Sequence, residues 1–222
     1  MCQEVKEIKE KYHYNFSQLL NEENYDELED IASELWNKLK KIDVIKNERI
    51  GDCPDAVQIL AIANYFGFYS YLGEFDKLNG RYKGRSVKEA SGMISISHDY
   101  IRKFGTDKIL VIKSNDNIGH QRFAVAHELA HFLFDFNEQS MISYSNFYIP
   151  NEQSNLIEER ANRFAASILM PKDIFIVKYN EYKKENYNLY ELCSKLADCF
   201  LVPSTAVNRR INELKKSKDI VL

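Results

Sequence analysis

Residues 121–134 read Gln121-Arg122-Phe123-Ala124-Val125-Ala126-His127-Glu128-Leu129-Ala130-His131-Phe132-Leu133-Phe134. Phe123, Ala124, Ala126, Leu129, Ala130 and Leu133 recur in steps of three and four without a Gly or Pro, which predicts a helix from about Gln121 to Phe134. His127 and His131 are four apart, so on a helix they stand one above the other on one face. Two imidazoles placed so can share one ion, each nitrogen about 2.0–2.1 Å from a zinc. Glu128 is turned by about 100° from His127, a poor direction for a third ligand but a good one for a water held by the metal. The H-E-x-x-H pattern therefore points to Glu128 as the general base of zinc-dependent peptide hydrolysis.

A catalytic zinc takes three protein ligands and keeps one position open. His120 precedes His127 by seven residues, two turns and about 10 Å down the same helix, too far to share the ion. Sequence distance leaves His13 and His98 open, but neither lies in a recognisable ligand setting. A second helical pattern from about Asn155 to Leu169 offers a better candidate in Glu158-Glu159-Arg160-Ala161-Asn162. Glu158 is the expected third ligand, and Asn162, on the same face, is expected to accept a hydrogen bond from a ligand imidazole. Glu159 points elsewhere and suits Arg163, four residues on. Tyr144 and Tyr148, in the intervening loop, are candidate donors to the oxyanion that develops in the reaction.

Outward from these helices, three strands are predicted at Phe68–Leu72, Gly92–Ser97 and Lys108–Ile112, with a long loop or loose hairpin over residues 76–90. Before them, Asp52 as cap, Pro54 in the first turn and the apolar run Ala56–Phe66 predict a helix that ends at Gly67. Leu28, Ile31, Leu35 and Leu39 form the apolar face of an earlier helix, which either packs on the domain or docks a partner. At the other end, two helical patterns between Leu189 and Leu214 flank Leu201-Val202-Pro203-Ser204, with Ser204 read as the second cap: the outline of a helix-turn-helix. Arg209, Arg210, Lys215, Lys216 and Lys218 bias it basic. That is thin for a DNA reader, so direct DNA binding is an expectation second to a structural or substrate-contacting role.

The expected fold is α+β: a small sheet packed on the H-E-x-x-H helix, surrounded by helices, with a C-terminal helix-turn-helix-like pair. The expected organisation is an N-terminal helical extension over residues 1–50, a zinc metallopeptidase domain over 51–180 and a C-terminal helical region over 181–222. The 222 residues carry 30 Lys and Arg against 33 Asp and Glu, a net charge of −3, so no polycationic surface for nucleic acid is expected overall. Cys2, Cys53, Cys193 and Cys199 form no C-x-x-C pair, and scattered thiols suit a reducing compartment. With no signal peptide and no membrane-length apolar stretch, the chain reads as cytoplasmic, with no membrane partner.

The run from Gln121 to His131, followed by Glu158-Glu159-Arg160-Ala161-Asn162-Arg163-Phe164-Ala165-Ala166-Ser167-Ile168-Leu169-Met170-Pro171, resembles the ImmA/IrrE metallopeptidases across about residues 52–215. The resemblance implies a gluzincin-like site: His127 and His131 as zinc ligands, Glu158 as the third and Glu128 as the catalytic glutamate. It also implies a protein substrate, a helix-turn-helix repressor of the XRE type or an antitoxin, in a mobile-element, stress-response or toxin–antitoxin setting. Ala130 stands where that family usually has Gly, and Asp135 where it often has His; neither change removes a catalytic group. Two other readings stay open: a zinc-holding module that sequesters a repressor without cutting it, and a DNA-binding regulator using the C-terminal helices.

Overall fold

The computed structural model describes residues 6–7, 10–11, 25–42, 53, 55–77, 81–82, 85–86, 90–135 and 152–220. Cys2, His13, Asp52, Pro54, Tyr144 and Tyr148 lie outside them. Within them the architecture is α+β. Helices α1 (Tyr25–Leu39) and α2 (Ile59–Tyr65) precede β1 (Phe68–Gly73), the two-residue strands β2 (Arg81–Tyr82) and β3 (Arg85–Ser86), and β4 (Gly92–Ile96). The short α3 (Ile101–Phe104) leads to β5 (Lys108–Lys113), after which the chain is helical: α4 (Ile118–Phe134), α5 (Glu152–Leu169), α6 (Lys172–Lys183), α7 (Leu189–Phe200) and α8 (Ser204–Lys216).

The main sheet runs β1-β5-β4, with β1 parallel and β4 antiparallel to β5. As the central strand, β5 is covered on both faces, which is why Ile109-Leu110-Val111-Ile112 reads as an unbroken apolar run. Alternate side chains part company there: Leu110 and Ile112 enter the main core with Phe68 and Ile94, whereas Ile109 and Val111 join Phe75 in a smaller cluster on the other face.

α4 lies across the main-core face against β4, β5 and α2, and α5 packs along it. Ala126, Ala130, Ala161, Ala165 and Ala166 are buried between such elements, and side chains of that size let helix backbones approach closely. Phe132 meets Phe68, and Phe134 meets Phe164, each edge to face with ring centroids 4.9 Å apart. Leu28, Ile31, Leu35 and Leu39 of α1 are buried in the same core, against α5; the apolar face of this helix is used within the molecule.

Two boundaries differ from the sequence reading. α2 begins at Ile59 rather than in the turn that carries Pro54, because the Val57 carbonyl accepts from the buried Arg122 guanidinium at 2.7 Å and from Ile59 N at 2.8 Å. Gln58, at φ −76° and ψ 67°, is in an inverse γ-turn that keeps residues 55–58 out of the helix. At α8, Pro203 holds the cap position and its carbonyl accepts from Ala206 N and Val207 N; Ser204 is the first helical residue and makes no cap bond. Gly67 does close the turn after α2, with φ +86°, a conformation that favours glycine.

Among the described residues Cys53, Cys193 and Cys199 carry free thiols, and no helix is long and apolar enough to cross a membrane.

Candidate metal centre

The start of α4 is fastened from several sides. Asn117 caps it, its side chain accepting from His120 N at 3.0 Å. The Gln121 carboxamide donates to the carbonyls of Lys113 and Ser114 at the end of β5. Arg122, 4% exposed, donates to Val57 O at 2.7 Å and to Leu201 O at 3.0 Å, so one guanidinium joins α4 to the approach to α2 and to the turn between α7 and α8. Burial pulls its pKa down to about 10. At Gly119 a Cβ would lie 3.0 Å from the Val202 carbonyl carbon, so this glycine lets the C-terminal turn sit against the helix.

One to three turns further along α4 are Glu128, His127 and His131. The His127 and His131 Nε2 atoms face each other 3.0 Å apart. Glu158, projecting from α5, brings Oε2 to 3.3 Å from His127 Nε2 and Oε1 to 3.5 Å from His131 Nε2. These three residues are the group of His, Cys, Asp and Glu side chains among the described residues whose donor atoms converge closely enough to hold one metal ion.

The remaining ring nitrogens have acceptors of their own. His127 Nδ1 is 3.0 Å from Asn162 Oδ1, and His131 Nδ1 is 2.7 Å from Asp135 Oδ2. An amide oxygen and a carboxylate both accept, so each neutral imidazole carries its proton on Nδ1 and turns the Nε2 lone pair inward. Two lone pairs and a carboxylate brought to 3.0–3.5 Å of one another repel unless a cation sits among them. Tetrahedral ligands at 2.0–2.1 Å from a zinc stand about 3.3 Å apart, within the spread of these separations. The donor set thus fits a divalent cation.

Glu128 is 4% exposed and faces β4: a Cβ added to Gly92 would meet Glu128 Cγ at 3.1 Å and Ala124 Cβ at 3.2 Å. His131 is buried as deeply, while the side chains of His127 and Glu158 are 16% and 28% exposed, so the cluster is partly open to solvent. Glu159 turns away and accepts from Arg163 Nε at 2.9 Å. His120 is exposed at the first turn of α4, its Nδ1 beside Asn117 Oδ1, and His98 is exposed in the 3-10 turn before α3; neither joins the cluster.

Sequence reasoning assigned no task to Arg122 or Arg160. Arg160, itself buried, donates Nη2 to Asp135 Oδ1 and lies over the Phe134 ring, 5.9 Å from its centroid. The only signal for this contact in the sequence is that an acidic residue follows His131 by four positions. The basic residues of the tail are also partly engaged: Arg209 pairs with Glu159 at 3.0 Å, and Arg210 is 2% exposed and paired with Glu29.

Residues 88–212, more than half of the chain, match the family model described as the IrrE N-terminal-like domain. No curated protein matches the chain. Among solved structures, a Mycobacterium tuberculosis transcriptional regulator is similar at a TM-score of 0.47 and 16% identity, over 93% of this chain and 51% of that one. This chain thus spans about half the length of that regulator.

Proposed function

We propose that this chain, which belongs to the peptidase family of the IrrE N-terminal-like domain, is a zinc-dependent endopeptidase whose ligands are His127, His131 and Glu158 and whose general base is Glu128. The observation that carries the reading is the convergence of two Nε2 lone pairs and one carboxylate, with both Nδ1 atoms already facing acceptors. A bound zinc supplies Lewis acidity toward a peptide carbonyl and acidifies water. Glu128 accepts the proton of the attacking water and returns it to the leaving amine. Among the described residues β4 is an edge of the main sheet and lies beside Glu128, where an extended substrate segment can add as a further strand.

The substrate we assign is a helix-turn-helix repressor or antitoxin, which also puts the enzyme in the cytoplasm. This finer assignment rests on the resemblance of the Gln121–His131 and Glu158–Pro171 motifs to the ImmA/IrrE metallopeptidases.

Metal content tests the core of the reading. Purified wild type is expected to hold about one zinc per chain, with the zinc lost or strongly weakened in His131→Ala and in Glu158→Ala. Emission spectrometry of the dialysed proteins measures it. A wild type that neither contains zinc nor takes it up would sink the peptidase reading.

A second expectation concerns Gly92. In Gly92→Ala the new methyl meets Glu128 Cγ at 3.1 Å, so the carboxylate has to shift by a few tenths of an ångström while the ligands stay put. Turnover is expected to fall about tenfold, given that about 1 Å of misplacement costs about a hundredfold. Zinc content should be unchanged. Loss of zinc from this variant would show that β4 supports the ligands rather than the base.

A further inference from the structure

We propose that Asp135 and Arg160 form a paired positioning device for His131, in which Arg160 acts on the metal site through Asp135. The proposal deepens the zinc reading above and rests on it.

Asp135 is the C-cap residue of α4, one turn beyond His131, so its carboxylate folds back onto the face that carries the imidazole. Its two oxygens are divided. Oδ2 stands 2.7 Å from His131 Nδ1, and Oδ1 accepts from Arg160 Nη2. Arg160 is held in turn by burial at 8% exposure and by the Phe134 ring beneath it. The chain of contacts therefore runs from a fixed guanidinium, through a carboxylate that accepts on both oxygens, to the proton-bearing nitrogen of a ligand imidazole. A carboxylate in that position fixes the tautomer and the ring plane and strengthens the opposite nitrogen as a donor to a metal.

Arg160 also gives α5 a third connection to the ligand set. Glu158 enters it directly, and Asn162 reaches His127 Nδ1. Arg160 reaches His131 through Asp135, so α5 bears on all three ligands although two of them belong to α4. The same contact joins the C-cap residue of the motif helix to the helix that supplies the third ligand, and so bears on how far apart the donor atoms are held.

The test is a zinc titration of the metal-free full chain against a chromophoric chelator, in wild type, Asp135→Asn, Arg160→Gln and the double variant, each with its metal-free thermal midpoint. Asp135→Asn is expected to weaken zinc binding about 10–100-fold, and Arg160→Gln to weaken it by less. The double variant is expected to match Asp135→Asn within about twofold, the scatter of additive pairs, because Arg160 acts on His131 through the carboxylate charge of Asp135, which the carboxamide lacks. Comparing the double variant with Asp135→Asn keeps the test open should Arg160→Gln alone fail to fold, since both charges are then removed together. Unaltered zinc affinity in Asp135→Asn, with only the thermal midpoint lowered, would overturn the proposal, as would a further loss in the double variant beyond that scatter. A wild type that binds no zinc would overturn the metal reading itself, an outcome separate from either of these.

Discussion

Glu128→Gln is expected to lower the rate of peptide cleavage about 10²–10⁴-fold, the range a positioned general base contributes, while zinc content stays at its wild-type level. The substitution keeps the size and planarity of the side chain and removes only its ability to take a proton. Glu128 is buried where α4 meets β4, and its oxygens are not among the donor atoms that converge at His127, His131 and Glu158. Fold and metal should therefore survive. Single-turnover cleavage of a repressor, followed beside metal analysis of the same preparation, reads both quantities at once. Retained cleavage would remove Glu128 from the chemistry. A variant that no longer cuts but still relieves repression would instead favour sequestration of the repressor without hydrolysis.

The motif helix, the three strands and the second helix were legible because each rests on local periodicity. Predicted strands at Phe68–Leu72, Gly92–Ser97 and Lys108–Ile112 became Phe68–Gly73, Gly92–Ile96 and Lys108–Lys113. His127, His131 and Glu158 come together because a four-residue spacing on one helix and an acidic, small-residue face on another are both visible as pattern. Contacts between distant residues carry no such pattern. The Val57 carbonyl that Arg122 draws away from α2 lies 65 residues earlier, and the Asp135–Arg160 pair spans 25. α6 passed unread because only Phe175 and Tyr179 of its residues are buried, too few to stand out as an apolar face.

Arg210 shows the same difficulty from the other side. Counted among the basic residues of the tail, it looked like surface charge, yet it is 2% exposed and donates to the Glu29 carboxylate, to Ser167 Oγ at 3.1 Å and to Met170 O at 3.1 Å. A charge is stable in the core only when hydrogen-bond or ion-pair partners are supplied, and the carboxylate among those of Arg210 sits on α1, 181 residues away.

Removing that partner is expected to be the most destabilising single substitution in the molecule outside the apolar core. In Glu29→Ala, Arg210 keeps its two neutral acceptors and feels the more distant charges of Glu213 and Asp219 but loses the carboxylate that pairs with it, and a buried ion stripped of its partner costs about 3–5 kcal/mol. For a chain of this size that corresponds to a fall of roughly 6–20 °C in thermal midpoint. Glu29→Leu combined with Arg210→Met should recover most of the loss, because a buried ion pair replaced by apolar side chains of similar volume is often close to neutral. The effect carries a pH signature. Burial pushes the Glu29 carboxyl up, but the hydrogen bond and charge of Arg210, with Ser167 and Lys172, outweigh it and hold the group below its ordinary 4.5. A carboxyl lowered on folding stabilises the native state above its unfolded pKa and loses that contribution as pH falls through the folded one. The stability gap between wild type and Glu29→Gln should therefore be constant near neutrality and shrink below about pH 4.5. Denaturant unfolding of both proteins at a series of pH values measures the gap. A gap that held constant down to the acid limit would mean that the Glu29 charge contributes nothing to the α1–α8 contact, and that hydrophobic packing alone holds α1 in place.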